Sequence, residues 1–149
     1  MVLQGGATVK LDDGESIRAC PSIWQQQIPK RVEIRATVLG NEVLAAEIHS
    51  QQSERSRHGW RNYDFENTPY LQHELPEDVR VKCVRLLREL RLLYVAIDLI
   101  LTDAGEYYFL EINPFGQWAW IQDLCGLPLA QAHCRLFRQL IDGRFEYGC

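Results

Sequence analysis

The segment Val95-Ala96-Ile97-Asp98-Leu99-Ile100-Leu101 places one carboxylate in an otherwise apolar run, and this constrains the fold more than any other feature of the chain. Residues 93–102 read as a strand, and burying an unpartnered, ionised carboxylate in it would cost roughly several kcal/mol. Asp98 therefore needs a partner. Glu111 poses the same problem within Tyr107-Tyr108-Phe109-Leu110-Glu111-Ile112, in a second strand over residues 106–112. Asn113 shares the face of Glu111, because side chains two apart on a strand point the same way.

The turn at Asp103-Ala104-Gly105, where Gly105 is free to adopt a left-handed conformation, joins these strands as a hairpin. Register decides what the hairpin can do. A four-residue loop, 103–106, sets Asp98 opposite Glu111, whereas a three-residue loop pairs Asp98 with Leu110 on the wrong face. A shared site requires the first loop or a bulge. Two carboxylates and an amide are hard oxygen donors, suited to magnesium completing its shell with phosphate oxygens and water, so the implied ligand is a nucleotide triphosphate. The spacing fits a second reading equally: Asp98 pairs with an arginine in the core and Glu111 lies on a solvent-facing edge.

Upstream, Val32, Ile34, Ala36 and Val38 alternate with Arg31, Glu33, Arg35 and Thr37, the period of a strand with one buried face. Gly40-Asn41 then suits a two-residue hairpin leading into a strand over residues 42–49. Residues 50–73 are polar and too long for a tight connection, which predicts an active-site loop. Pro76, Glu77 and Asp78 open a helix whose inner face holds Val79, Cys83, Leu86, Leu87 and Leu90, with its arginines on a solvated face. After an aromatic stretch containing Trp118 and Trp120, Pro128 opens a last helix with Leu129, His133, Leu136, Phe137 and Leu140 inward, ended by Gly143. The fold class is α+β: an antiparallel sheet of two main hairpins packed with two or more helices.

At 149 residues the chain can bury one core, and its net charge of -4 gives no attraction to nucleic acid or to an anionic membrane. Five scattered cysteines, Cys20, Cys83, Cys125, Cys134 and Cys149, form no zinc spacing and read as reduced thiols. Neither a signal segment nor an apolar run of about 18 residues is present, so a cytoplasmic protein is expected.

The motifs AIDLI and FLEINPFGQW resemble the magnesium-binding end of ATP-grasp ligases, and GQWAWIQDLCGLPLA resembles the graspetide (microviridin-type) peptide maturases. The segment CPSIWQQQIPKRVEIRATVLGNEVLAAEIHSQ is similar to the hinge and hairpin of the same maturases and, less closely, of the ribosomal-protein glutamate ligases. The resemblance covers about residues 20–137. It implies an ATP-grasp C-terminal lobe over residues 20–143, preceded by an irregular remnant of another lobe (1–19) and followed by a tail (144–149). It further implies ATP and magnesium as cofactors, with Asp98, Glu111 and Asn113 as metal ligands. Gln26 and Gln27 take the hinge positions that hold adenine through the backbone, and Glu33 the position that meets the ribose. Arg61 corresponds to the arginine that steadies the phosphates and the acyl-phosphate, with Arg35 and Lys30 as further basic contacts.

Three positions depart from the family pattern: Gly59 and Gln122 stand where acids are usual, and Gln26 stands where Glu is. A full enzyme of this kind has roughly twice the length and supplies phosphate-binding lysines and a glycine-rich loop from other lobes. Inactivity of this chain alone is therefore expected, with the missing lobe or a partner chain completing the clamp, and exposed apolar surface at that junction able to drive homodimerisation. The implied reaction is ATP-dependent ester or amide cross-linking of a ribosomal precursor peptide through an acyl-phosphate. Two competing readings are an amino-acid ligase acting on a protein tail and a noncatalytic remnant or partner-binding module that keeps the fold.

Overall fold

The computed structural model describes residues 26–57 and 59–148. The expected remnant at 1–19, along with Cys20, His58 and Cys149, lies outside the described residues. Five strands form one antiparallel sheet in the order β3-β2-β1-β4-β5. They are β1 (Val32–Leu39), β2 (Glu42–Ile48), β3 (Tyr70–His73), β4 (Tyr94–Leu101) and β5 (Tyr107–Asn113). Three helices accompany them: α1 (Glu77–Glu89), α2 (Ala119–Cys125) and α3 (Leu129–Ile141).

Both expected hairpins form. Leu39 pairs with Glu42 across the Gly40-Asn41 turn, where Gly40 has φ of 59°, and Gly105 takes φ of 81° in the other turn. β3 was hidden in the polar connection because Tyr-Leu-Gln-His is short and mixed in character, and only pairing with β2 makes it a strand. The rest of that connection is ordered by its own polar groups: Ser53 Oγ donates to Asp64 Oδ2 at 2.5 Å, and the Ser56 and Thr68 hydroxyls bond at 2.9 Å.

β1 departs from the one-sided strand expected. It lies at the centre of the sheet, and all eight of its residues are buried, including Glu33, Arg35 and Thr37. The even-numbered side of β1 packs with Cys83, Val84 and Leu87 of α1 in the main apolar cluster. On the odd-numbered side, Leu39 joins Ile121 of α2 and Leu129, Ala132 and Leu136 of α3. Alternation in the sequence thus marks two different buried environments.

The helix faces also differ in detail from expectation. Val84, not Leu90, completes the buried stripe of α1, and Leu90 is exposed at the helix end. In α3, Ala132 is buried and Phe137 is 56% exposed, because the contact stripe runs through Leu129, Ala132 and Leu136. His133 is only half-buried and stacks on Trp118 at 4.4 Å. The aromatic stretch after Asn113 also contains α2, a short helix with no side-chain cap to mark its start. Residues 144–148 pack back onto the lobe, with the Gly148 N–H donating to Asn41 Oδ1 at 2.6 Å and the Tyr147 hydroxyl to the Leu92 carbonyl. Among the described residues, no helix is long and apolar enough to cross a membrane.

Burial raises the Cys83 thiol to about 11, whereas Cys134 is exposed. With a pKa that high, about one thiol in a thousand is ionised at pH 8, so iodoacetamide is expected to alkylate Cys134 and spare Cys83 in the folded chain. Equal labelling of the two in peptide mass spectra would contradict the α1 packing.

Candidate functional site

Asp98 finds its partner on the neighbouring strand. The β1–β4 register sets Arg35 opposite Asp98, and Arg35 Nη1 donates to Asp98 Oδ1 at 2.8 Å with both residues 3% exposed. The core arginine partner expected for Asp98 is therefore present, and Glu111 stands exposed on the edge strand, as the same reading expects.

Glu111 reaches Asp98 through the bulge, not through the longer loop. Leu101, Ile100 and Leu99 pair with Tyr107, Tyr108 and Phe109, which is the register of a three-residue loop. The pairing then shifts between Leu99 and Asp98, leaving Leu110 as the extra residue, so that Asp98 faces Glu111 and Ala96 faces Asn113. The shift occurs on an edge strand, where the inserted residue disturbs one ladder only.

Arg61 enters from the polar connection. Its Nη2 donates to Asp98 Oδ2 at 2.8 Å and also to Glu111 Oε1, so the two carboxylates converge on one nitrogen. Its guanidinium lies over the Trp60 ring at 5.0 Å, and that of Arg35 lies over the same ring at 5.5 Å. Trp60 is buried and stacks on Trp120 at 5.0 Å. Burial pushes the Asp98 carboxyl above its usual range, against the pull of Arg35 and Arg61. Burial works the other way on Arg61, but Asp98 and Glu111 outweigh it, and its pKa is raised.

The remaining expected residues differ in how near they come to this group. Asn113 lies two residues beyond Glu111, and its Oδ1 accepts the Phe115 N–H at 3.0 Å. Glu33 lies one side-chain pair along β1 from Arg35, held by Lys30 at 2.9 Å. Gln26 and Gln27 are exposed, in the segment before β1, and no hydrogen bond joins them to the Asp98 group. Glu33 Oε2 and Arg35 Nε are buried without a hydrogen-bond partner among the described residues. Orphaned atoms of this kind cost about 1–3 kcal/mol each, and a polar ligand on this face would relieve them.

Two supporting residues escaped the sequence reading. Trp60 directly precedes Arg61 in the chain, and an aromatic beside a needed arginine is itself a signal for a stacking platform. Gly116 packs so closely that a Cβ would stand 2.5 Å from both Ala96 Cβ and Arg35 Nη2. The Tyr94 hydroxyl donates to the Gly116 carbonyl and ties that backbone down.

The metal reading passes a chemical test. Asp98 Oδ2 and Glu111 Oε1 already share a cationic group, both are hard donors, and Asn113 adds a neutral amide on the same face. No cluster of three or more His, Cys, Asp or Glu suited to a metal occurs among the described residues.

A solved RiPP-associated ATP-grasp ligase of Chryseobacterium gregarium, in complex with ADP and a leader and core peptide, is 33% identical over 84% of this chain, with a TM-score of 0.70. The macrocyclase MdnC of Microcystis aeruginosa, bound with precursor peptide MdnA, is 32% identical over 89% of the chain, with a TM-score of 0.69. The fold is that of an ATP-grasp C-terminal lobe. The macrocyclase MdnB of the same organism is 27% identical over 85%, with a TM-score of 0.60. This chain spans 38%, 40% and 44% of those three proteins, respectively. No family model and no curated protein matches the sequence.

Asp98 is held in the fold by its buried partner Arg35. Asp98→Asn leaves Arg35 buried without its counter-charge and is expected to cost about 3–5 kcal/mol. Glu111→Gln, whose side chain is 47% exposed, is expected to cost less than about 1 kcal/mol. Urea unfolding midpoints read both, and equal midpoints for the two variants would contradict the pairing. Gly116→Ala pushes on Arg35 and Ala96 and is expected to lose about 1–3 kcal/mol in the same assay.

Proposed function

We propose that this lobe holds the magnesium and phosphate end of ATP in a carboxylate–amine or carboxylate–alcohol ligase acting on a ribosomal precursor peptide. The observation that carries the reading is the convergence of Asp98 and Glu111 on a single cationic group, with Asn113 on the same face of the sheet. Likeness to ligases solved with ADP, and with leader, core or precursor peptides, supports the same ligand classes here.

When bound, ATP would supply the phosphoryl group that activates a peptide carboxylate, with ADP leaving, while magnesium would draw charge from the phosphates; a peptide hydroxyl or amine would then displace phosphate to give an ester or amide. The chain's own residues position and polarise. Asp98 and Glu111 present one oxygen each, and Asn113 adds its amide. Arg61, half-exposed and seated on Trp60, is placed to follow negative charge on the phosphates as it develops. Arg35 is locked to Asp98 at Nη1 and offers its free Nε–H to an anion on this face. Lys30 and Glu33, paired at 2.9 Å, follow the exposed segment that carries Gln26 and Gln27, and we assign Glu33 to the ribose and the two glutamines to adenine.

Titration calorimetry with ATP is expected to give heats that require magnesium. Glu111→Ala and Asn113→Ala are expected to weaken them about tenfold or more. Both variants lie outside the buried ion pair, so they report on binding without unfolding the sheet. Unchanged affinity in Glu111→Ala would overturn the proposed site.

A further inference from the structure

We infer that Arg61 is the resident cation of the metal position, so that a divalent ion enters only together with a polyanion that takes Arg61 over. This inference rests on the nucleotide and metal reading above.

The oxygens decide it. Asp98 Oδ1 is held by the buried Arg35, so Oδ2 is the one left for a metal, and Oδ2 is bonded to Arg61 Nη2. The same nitrogen holds Glu111 Oε1. Arg61 and a metal ion therefore compete for the same pair of oxygens.

Charge and mobility set the outcome of that competition. With both carboxyls ionised, the guanidiniums of Arg35 and Arg61 balance Asp98 and Glu111, and Asn113 adds no charge. A divalent ion arriving alone has to displace a guanidinium that has no other anion within the group, leaving an excess of positive charge in a partly buried place. A polyphosphate arriving with the ion supplies the new partner. Arg61 is also the member able to move: its side chain is 50% exposed and sits on a connection outside the sheet, whereas that of Arg35 is 3% exposed and centred in β1. Trp60, buried under the guanidinium, gives Arg61 a platform on which to slide without losing its contact area.

The test uses Mn2+ without nucleotide, with the free ion counted by electron paramagnetic resonance. Wild type is expected to bind Mn2+ weakly, and Arg61→Gln about tenfold or more tightly. Arg61→Lys keeps the charge and is expected to stay weak, which separates electrostatic competition from mere removal of bulk. With ATP present, the order reverses: Arg61→Gln is expected to bind the Mn2+–ATP complex about tenfold less tightly than wild type. Equal Mn2+ affinity in wild type and Arg61→Gln, or tighter binding by Arg61→Lys to the same extent, would overturn the inference. Adding Glu111→Gln to Arg61→Gln is expected to abolish the gain. If Mn2+ binding instead ignores Glu111 altogether, the metal site itself is wrong, and the failure lies with the proposed function.

Discussion

The Arg35–Asp98 ion pair is the interaction on which the rest of the structure depends. It joins the two central strands at a point where both charges are out of water, so neither side chain can leave without stranding the other. A slip of one residue between β1 and β4 would turn Arg35 into the apolar cluster under α1, which makes this register costly to change. The pair also orients the site, because it fixes one Asp98 oxygen inward and leaves the other facing Arg61 and Glu111.

The bulge at Leu110 completes what the ion pair begins. Without it, the short turn after β4 would direct Leu110 toward Asp98 and send Glu111 to the other face. One inserted residue brings both Glu111 and Asn113 to the correct side. β5 tolerates the insertion because, among the described residues, its outer edge has no further strand to keep in step.

Much of this was legible in the sequence, for reasons that can be stated residue by residue. Both hairpins announce themselves through Gly40-Asn41 and Gly105, and α1 and α3 through Pro76 and Pro128. Asp98 declares its need for a partner because an acid in an apolar strand has few physical options. The identity of that partner was not readable: Arg35 lies 63 residues away, and only the pairing of β1 with β4 brings them together. The bulge left no glycine or proline as a marker, so its place could be named only as one of two ways to satisfy the site. Burial on both sides of β1 was hidden for a related reason. Glu33, Arg35 and Thr37 look like a solvent face until α2, α3 and Trp60 are known to lie over it.

The site is accordingly built from two kinds of support. Asp98 and Arg35 stand on central strands and are held by packing on all sides, which gives the geometry its precision. Arg61 comes from an irregular connection whose order depends on serine, threonine and aspartate hydrogen bonds, which is where a group that must change partners is expected to lie. The Trp60–Trp120 stack links the two, since Trp120 belongs to α2 and Trp60 to the connection, and both guanidiniums rest on Trp60. An aromatic surface suits that junction: it attracts a cation without fixing its hydrogen-bond geometry, so the fixed and the movable arginine can share one ring.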